Sequence, residues 1–160
     1  MLNVIIVKRI PKWIRFPFFQ ILVLFFLYSS SISGAPFVDN GDGTITDLGN
    51  ALIWQKTADG TQRNWANALT YCNGLSLTSR VWRLPSVTEL RSILDHTQAT
   101  SPIINGTYFL GTVNQYYWTS TTYRYSGGTV EAWAINFTSG FTSSGGKTAS
   151  YYVRCVASPP

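Results

Sequence analysis

Residues 82–94 read WRLPSVTELRSIL. Pro85 restricts Leu84 to an extended conformation, so an extended segment arriving from Trp82 stops here. Ser86 stands three residues before Glu89, the capping-box spacing in which serine and glutamate satisfy each other's backbone N–H groups. A helix begins at this point. Val87, Leu90, Ile93 and Leu94 form one stripe of it, leaving Arg91, Ser92 and Asp95 mostly outside. Glu89 therefore reads as a helix cap rather than a general acid. Arg83 reads as an ion-pair or backbone brace for the junction in preference to a ligand contact.

Working outward, Asp59-Gly60 marks a turn and Asn64 can cap an earlier helix. Trp65, Ala68, Leu69 and Cys72 fall on one of its faces and Gly74 closes it, so Cys72 points to the core. The linker Ser76–Val81 joins the two helices. Before them, Asn40-Gly41-Asp42-Gly43 is turn chemistry, and Thr44–Leu48 with Ala51–Gln55 reads as a hairpin around Gly49-Asn50. An EF-hand alignment fails, because it sets Val38 at the first ligand position and Gly49 where a bidentate glutamate is needed. A weaker calcium site on Asp39 and Asp42 stays open. No cofactor is expected.

After Ser101 the composition turns to Thr, Ser, Gly, Asn and Tyr, and the second half reads as β. Strands are expected over Tyr116–Thr122, Val130–Phe137 and Ser150–Val156. Trp133, Ile135 and Phe137 alternate with Ala134 and Asn136, and Tyr151, Val153 and Cys155 alternate with Tyr152 and Arg154, as in half-buried strands. Residues 123–128 and 138–147 lack a packing pattern and read as loops available for function. The single histidine, His96, lies near the second helix's end, where a contact with the helix dipole suffices to explain it.

Residues 1–33 read as a secretory signal peptide: Lys8, Arg9, Lys12 and Arg15, then an apolar run of about thirteen residues from Phe16 to Tyr28, then small residues. Cleavage is expected after Ser33, with an uncleaved anchor as the alternative. The chain is then exported, to the periplasm, the cell surface or the medium, and meets a membrane only through that segment if it stays attached. Removing the leader takes four of the twelve basic residues and none of the seven acidic ones, leaving eight against seven. A net charge near +1 lacks the footprint of a nucleic-acid binder. Cys72 and Cys155 are the only cysteines, and in an oxidising compartment an intramolecular disulfide between them is the default.

Six stretches in order carry a family resemblance: FVDNGDGTITDLGNALIWQK, WANALTYC, WRLPSVTELRSILD, YYWTSTTY, AWAINFTSG and YYVRCV. Together they resemble the Lcl C-terminal domain, a bacterial domain of unknown function placed in the C-type lectin-like superfamily. The resemblance covers residues 37–156, and a domain over 37–157 is expected. One departure is Thr78-Ser79-Arg80-Val81 before Trp82, where glycines are expected. The resemblance implies an α+β, C-type lectin-like fold: an N-terminal hairpin, two helices, small antiparallel sheets, N- and C-terminal strands brought together, and a bond from the first helix to the last strand.

Function sits in the loops of such a scaffold. The Glu-Pro-Asn and Trp-Asn-Asp motifs of calcium-dependent sugar binding are missing, and Trp118 is followed by Thr119-Ser120. The fold is also similar to that of formylglycine-generating oxidases, but those need reactive cysteines that the disulfide consumes here. The resemblance, together with these missing motifs, implies a non-catalytic, calcium-independent binding or adhesion module for an unknown ligand of the carbohydrate or glycosaminoglycan-like polymer kind. Tyr123, Arg124, Tyr125 and Lys147 are its candidate contacts, because aromatic faces stack on sugar rings and cations meet anionic groups. A structural component of an envelope assembly is the second expectation, and an oxidase the third.

Overall fold

The computed structural model describes residues 36–124 and 130–159. The leader expected over residues 1–33 and the candidate contact Tyr125 lie outside the described residues. The domain is α+β, with two helices and two small antiparallel sheets.

Turn chemistry near the N-terminus builds two successive hairpins in place of the single one expected. The Asp39 carboxylate accepts the Gly41 N–H, and the Asp42 carboxylate accepts the N–H and hydroxyl of Thr44. Gly41 and Gly43 take positive φ between them. This turn folds β1 (Phe37–Asp39) onto β2 (Thr44–Asp47), which pairs in turn with β3 (Leu52–Gln55). In the second turn the buried Asp47 carboxylate accepts the N–H groups of Gly49 and Asn50 and the Asn50 side chain. The left-handed residue there is Ala51, at φ 51°, one position later than the expected Gly49-Asn50.

Helix α1 (Trp65–Asn73) starts where Asn64 accepts the Asn67 N–H at 2.9 Å, and buries Ala68 and Cys72. The extended piece before the second helix is β4 (Trp82–Arg83), and α2 (Val87–Ser92) begins with the complete Ser86–Glu89 capping box. Helix α2 is shorter than its apolar stripe. Asp95 accepts the N–H and hydroxyl of Thr97, a local turn that competes with further helix, while Ile93 still packs in the core. His96 follows the helix and its Asp95 turn and lies against Gly140, where an added Cβ would come 2.6 Å from its ring.

The C-terminal segment departs most from expectation. Only β8 (Val156–Ala157) pairs as a strand, and it lies between β3 and β4, giving the order β1-β2-β3-β8-β4. Tyr151 and Tyr152 make isolated bridges to Arg63 and Tyr117. Instead of alternating, Val153 to Ala157 are all buried, because the segment threads through the interior. Arg154, expected on a polar face, is 1 % exposed. Its guanidinium donates to the carbonyls of Gln55 (2.6 Å), Lys56 (2.7 Å) and Leu110 (3.0 Å) and to the Thr112 hydroxyl (2.7 Å). Burial pushes its pKa down to about 10, so it is charged at neutral pH and balanced by carbonyl dipoles.

The second sheet is β5 (Tyr116–Arg124), β6 (Val130–Asn136) and β7 (Thr142–Gly146), in that order. β7 occupies the middle of a segment expected as loop. Between the pairs Trp118↔Ala134 and Thr122↔Ala132, residues 119–121 of β5 stand opposite Trp133 alone. This bulge docks the junction at Pro85: the Ser120 N–H donates to the Pro85 carbonyl at 2.7 Å, and the Thr121 hydroxyl accepts the Val87 N–H at 3.0 Å.

Cys72 and Cys155 are bonded, with their Cα atoms 5.5 Å apart, inside a cluster that includes Trp82, Trp118 and Ala134. Replacing both by alanine is expected to lower stability by about 4 kcal/mol, since the bond spans a separation of 83 residues; urea unfolding measures it. Arg154→Met leaves the Gln55 and Lys56 carbonyls without this donor, while the Leu110 carbonyl keeps the Ala58 N–H, and is expected to cost about 2 to 5 kcal/mol in the same assay. Wild-type stability in that variant would show that the carbonyls find other donors.

Candidate functional site

The strands of the second sheet position the candidate residues. In register, Tyr123 stands opposite Glu131, Arg124 opposite Val130, and Glu131 opposite Gly146. Partners in register share a face and neighbours along a strand alternate, so Tyr123, Glu131 and Trp133 lie on one face. The Tyr123 and Trp133 rings sit 4.7 Å apart at 54°, and both residues are half-buried. Helix α2 covers the other end of this face, where Leu90 and Ile93 pack with Ile135 and Phe137. Gly146 leaves open floor beside Glu131, for nothing lies within 4 Å of where its Cβ would be.

Arg124 and Lys147 belong to the opposite face. The pairing carried one residue past β7 sets Lys147 beside Val130, so the two cations flank that exposed valine at roughly 10 Å, two interstrand spacings. Lys147 is held by α1: its ammonium lies 3.7 Å above the Trp65 ring, and its carbonyl accepts the Trp65 N–H. The Trp65 indole in turn donates to the Thr119 carbonyl at 2.9 Å. The structure thus brings Tyr123, Arg124 and Lys147 to one end of the sheet and divides them between its faces. Trp133 was assigned to a core face by its alternation. It does share that face with Ile135, but it is only half-buried, beside the N-terminal end of α2 and the bulge that takes the Val87 N–H.

The other sequence candidates have internal partners. Asp39 pairs with the Lys56 ammonium at 2.6 Å, which holds its carboxyl below the ordinary value. With Asp42 engaged by Thr44, a cation at this turn would have to displace both partners. Among the described residues no three His, Cys, Asp or Glu side chains group as metal ligands. Arg83 braces Glu89 through two hydrogen bonds, at 2.8 and 2.6 Å, while Glu89 also accepts the Ser86 N–H at 2.7 Å. The Arg83 bond, ahead of the Ser86 contacts and against desolvation, holds the Glu89 carboxyl down to about 2.

These elements define a disulfide-tied α+β domain whose strand-to-helix junction and sheet end are both set by short sequence motifs. The family model of the Lcl C-terminal domain matches residues 43–157, and the chain belongs to that family. No curated protein matched the chain.

Because the folded-state pKa of Glu89 lies below its ordinary 4.5, the stability it supplies is fully present above that value and fades as pH falls through about 2. Glu89→Gln is therefore expected to cost about 1 to 2 kcal/mol at pH 7, with the gap to wild type closing between pH 4.5 and about 2. Thermal melts across that range check it; a gap that ignores pH would assign the loss to packing.

Proposed function

We propose that the chain is an exported, non-catalytic binding or adhesion module that holds a carbohydrate or polyanionic polymer without calcium, on a C-type lectin-like scaffold. The observation that carries this reading is the half-buried Tyr123–Trp133 pair at the end of the second sheet. Two rings meeting beside open strand surface offer apolar faces to a sugar ring, and Glu131 alongside offers a hydrogen-bond acceptor. Arg124 and Lys147, around the sheet's end, supply cations to a polymer long enough to wrap it.

The scaffold reading is supported by the bond from α1 to the segment entering β8 and by the meeting of early and late strands in one sheet. Calcium independence is supported by the engagement of Asp39 with Lys56. Export is supported by the leader pattern and by the disulfide. An oxidase of the formylglycine-generating type is disfavoured because both cysteines are bonded and buried.

A solid-phase screen of neutral glycans and anionic polymers tests the proposal. Trp133→Ala and Tyr123→Ala are each expected to weaken the best ligand at least tenfold, which is about 1.4 kcal/mol. If the ligand is a polyanion, Arg124→Ala with Lys147→Ala should flatten the salt dependence. Binding that survives loss of both rings would remove this face from the site.

A further inference from the structure

The linker between the helices carries a second arrangement, on the far side of β8 from β3. Thr78, Ser79, Arg80, Val81 and Arg83 line a cleft of about 550 Å³ with Ser158 and Pro159. Its wall is strained. Thr78 and Ser79 take φ of 55° and 42°, the left-handed region, in successive residues that both carry a Cβ. These are the positions where the family resemblance leads one to expect glycine. The shape is pinned from below: the Leu77 carbonyl accepts the Thr78 hydroxyl at 2.7 Å and the Trp82 indole at 2.6 Å.

Among the described residues the charges lining the cleft do not balance. Arg83 spends both terminal nitrogens on Glu89, so that pair is neutral. Arg80 takes part in none of the ion pairs formed among the described residues, and its Nε is buried without an acceptor. Arg80 lines the cleft, so an oxygen acceptor entering there would give its guanidinium a partner that the described residues do not supply. Val81, 89 % exposed, and Pro159 make the mouth apolar.

We propose that this cleft binds a carboxylate that carries an apolar substituent, with Arg80 as its anchor. The planar guanidinium matches a carboxylate fork, and a single cation without a partner among the described residues suits a monoanion better than a dianion. The substituent lies along Val81 and Pro159, and the Ser79 and Ser158 hydroxyls are the remaining donors in reach of the anion. The site is separate from the Tyr123–Trp133 face and does not depend on it.

NMR titration of the chain with N-acetyl-leucine, N-acetyl-leucinamide and sulfate tests the proposal. The carboxylate is expected to saturate one site with shifts centred on residues 78–83, and the amide to bind at least tenfold more weakly. Arg80→Gln should abolish the saturable shifts, and Arg80→Lys, which keeps the charge but loses the fork, should weaken binding at least tenfold. Both variants should unfold at the wild-type midpoint or above it, since neither removes a bonded group. Failure of N-acetyl-leucine to bind, equal binding of its amide, undiminished binding by Arg80→Gln, or sulfate competing on equal terms would each overturn the assignment.

Discussion

The insertion of the segment around Arg154, Cys155 and Val156 between elements from the first half of the domain is the constraint on which the rest depends. Val156 pairs with Trp54 on one side and Arg83 on the other, so neither the hairpins nor the helical junction has a completed sheet without it. The residue before it is bonded to α1, and its N–H and carbonyl are taken by the Gln55 side chain and backbone. The residue before that places a charged fork among the carbonyls of Gln55, Lys56 and Leu110. Hydrophobic packing, a covalent bond and charge-assisted hydrogen bonds therefore converge on three consecutive residues.

The junction at residues 82–94 is the second organising point, because it couples the two sheets. β4 pairs into the first sheet while the Pro85 carbonyl and Val87 N–H engage the bulge in β5. The Arg83–Glu89 pair sits at this corner, partly shielded, and links β4 to the first turn of α2. One short motif thus fixes an angle between layers as well as a helix start. Helix α2 starts level with Trp133 and runs away from Tyr123, toward Ile135 and Phe137.

Much of this was readable locally. Proline, the capping box, the Asn64 cap and the Asx turns act within a few residues, and the structure places each where its chemistry puts it. The α+β class and the Cys72–Cys155 bond followed from the same reading. What escaped depends on distant partners. β7 reads TSSGG and shows no apolar alternation, because the Tyr151 ring fills the space beside Gly145, where an added Cβ would come within 2.8 Å of its hydroxyl. Arg154 broke its alternation because the segment that carries it is buried on every side. Trp133 could be assigned to a face, but not to the uncovered part of it, since nothing in β6 records where α2 starts. For the candidate contacts, residue type in segments without a packing pattern singled out Tyr123, Arg124 and Lys147. The split between faces needed the register, and the cation–π seat of Lys147 needed Trp65 from α1.

The central place of β8 also sets the timing of assembly. Its partners in β3 lie about a hundred residues earlier, so nucleation from the early hairpins alone gives a slot rather than a sheet, and loop closure must precede most of the stabilising contacts. Such a chain gains its cooperativity late. Its first half emerges from synthesis as a set of competent but unfinished parts until residues 154–157 arrive and lock them together.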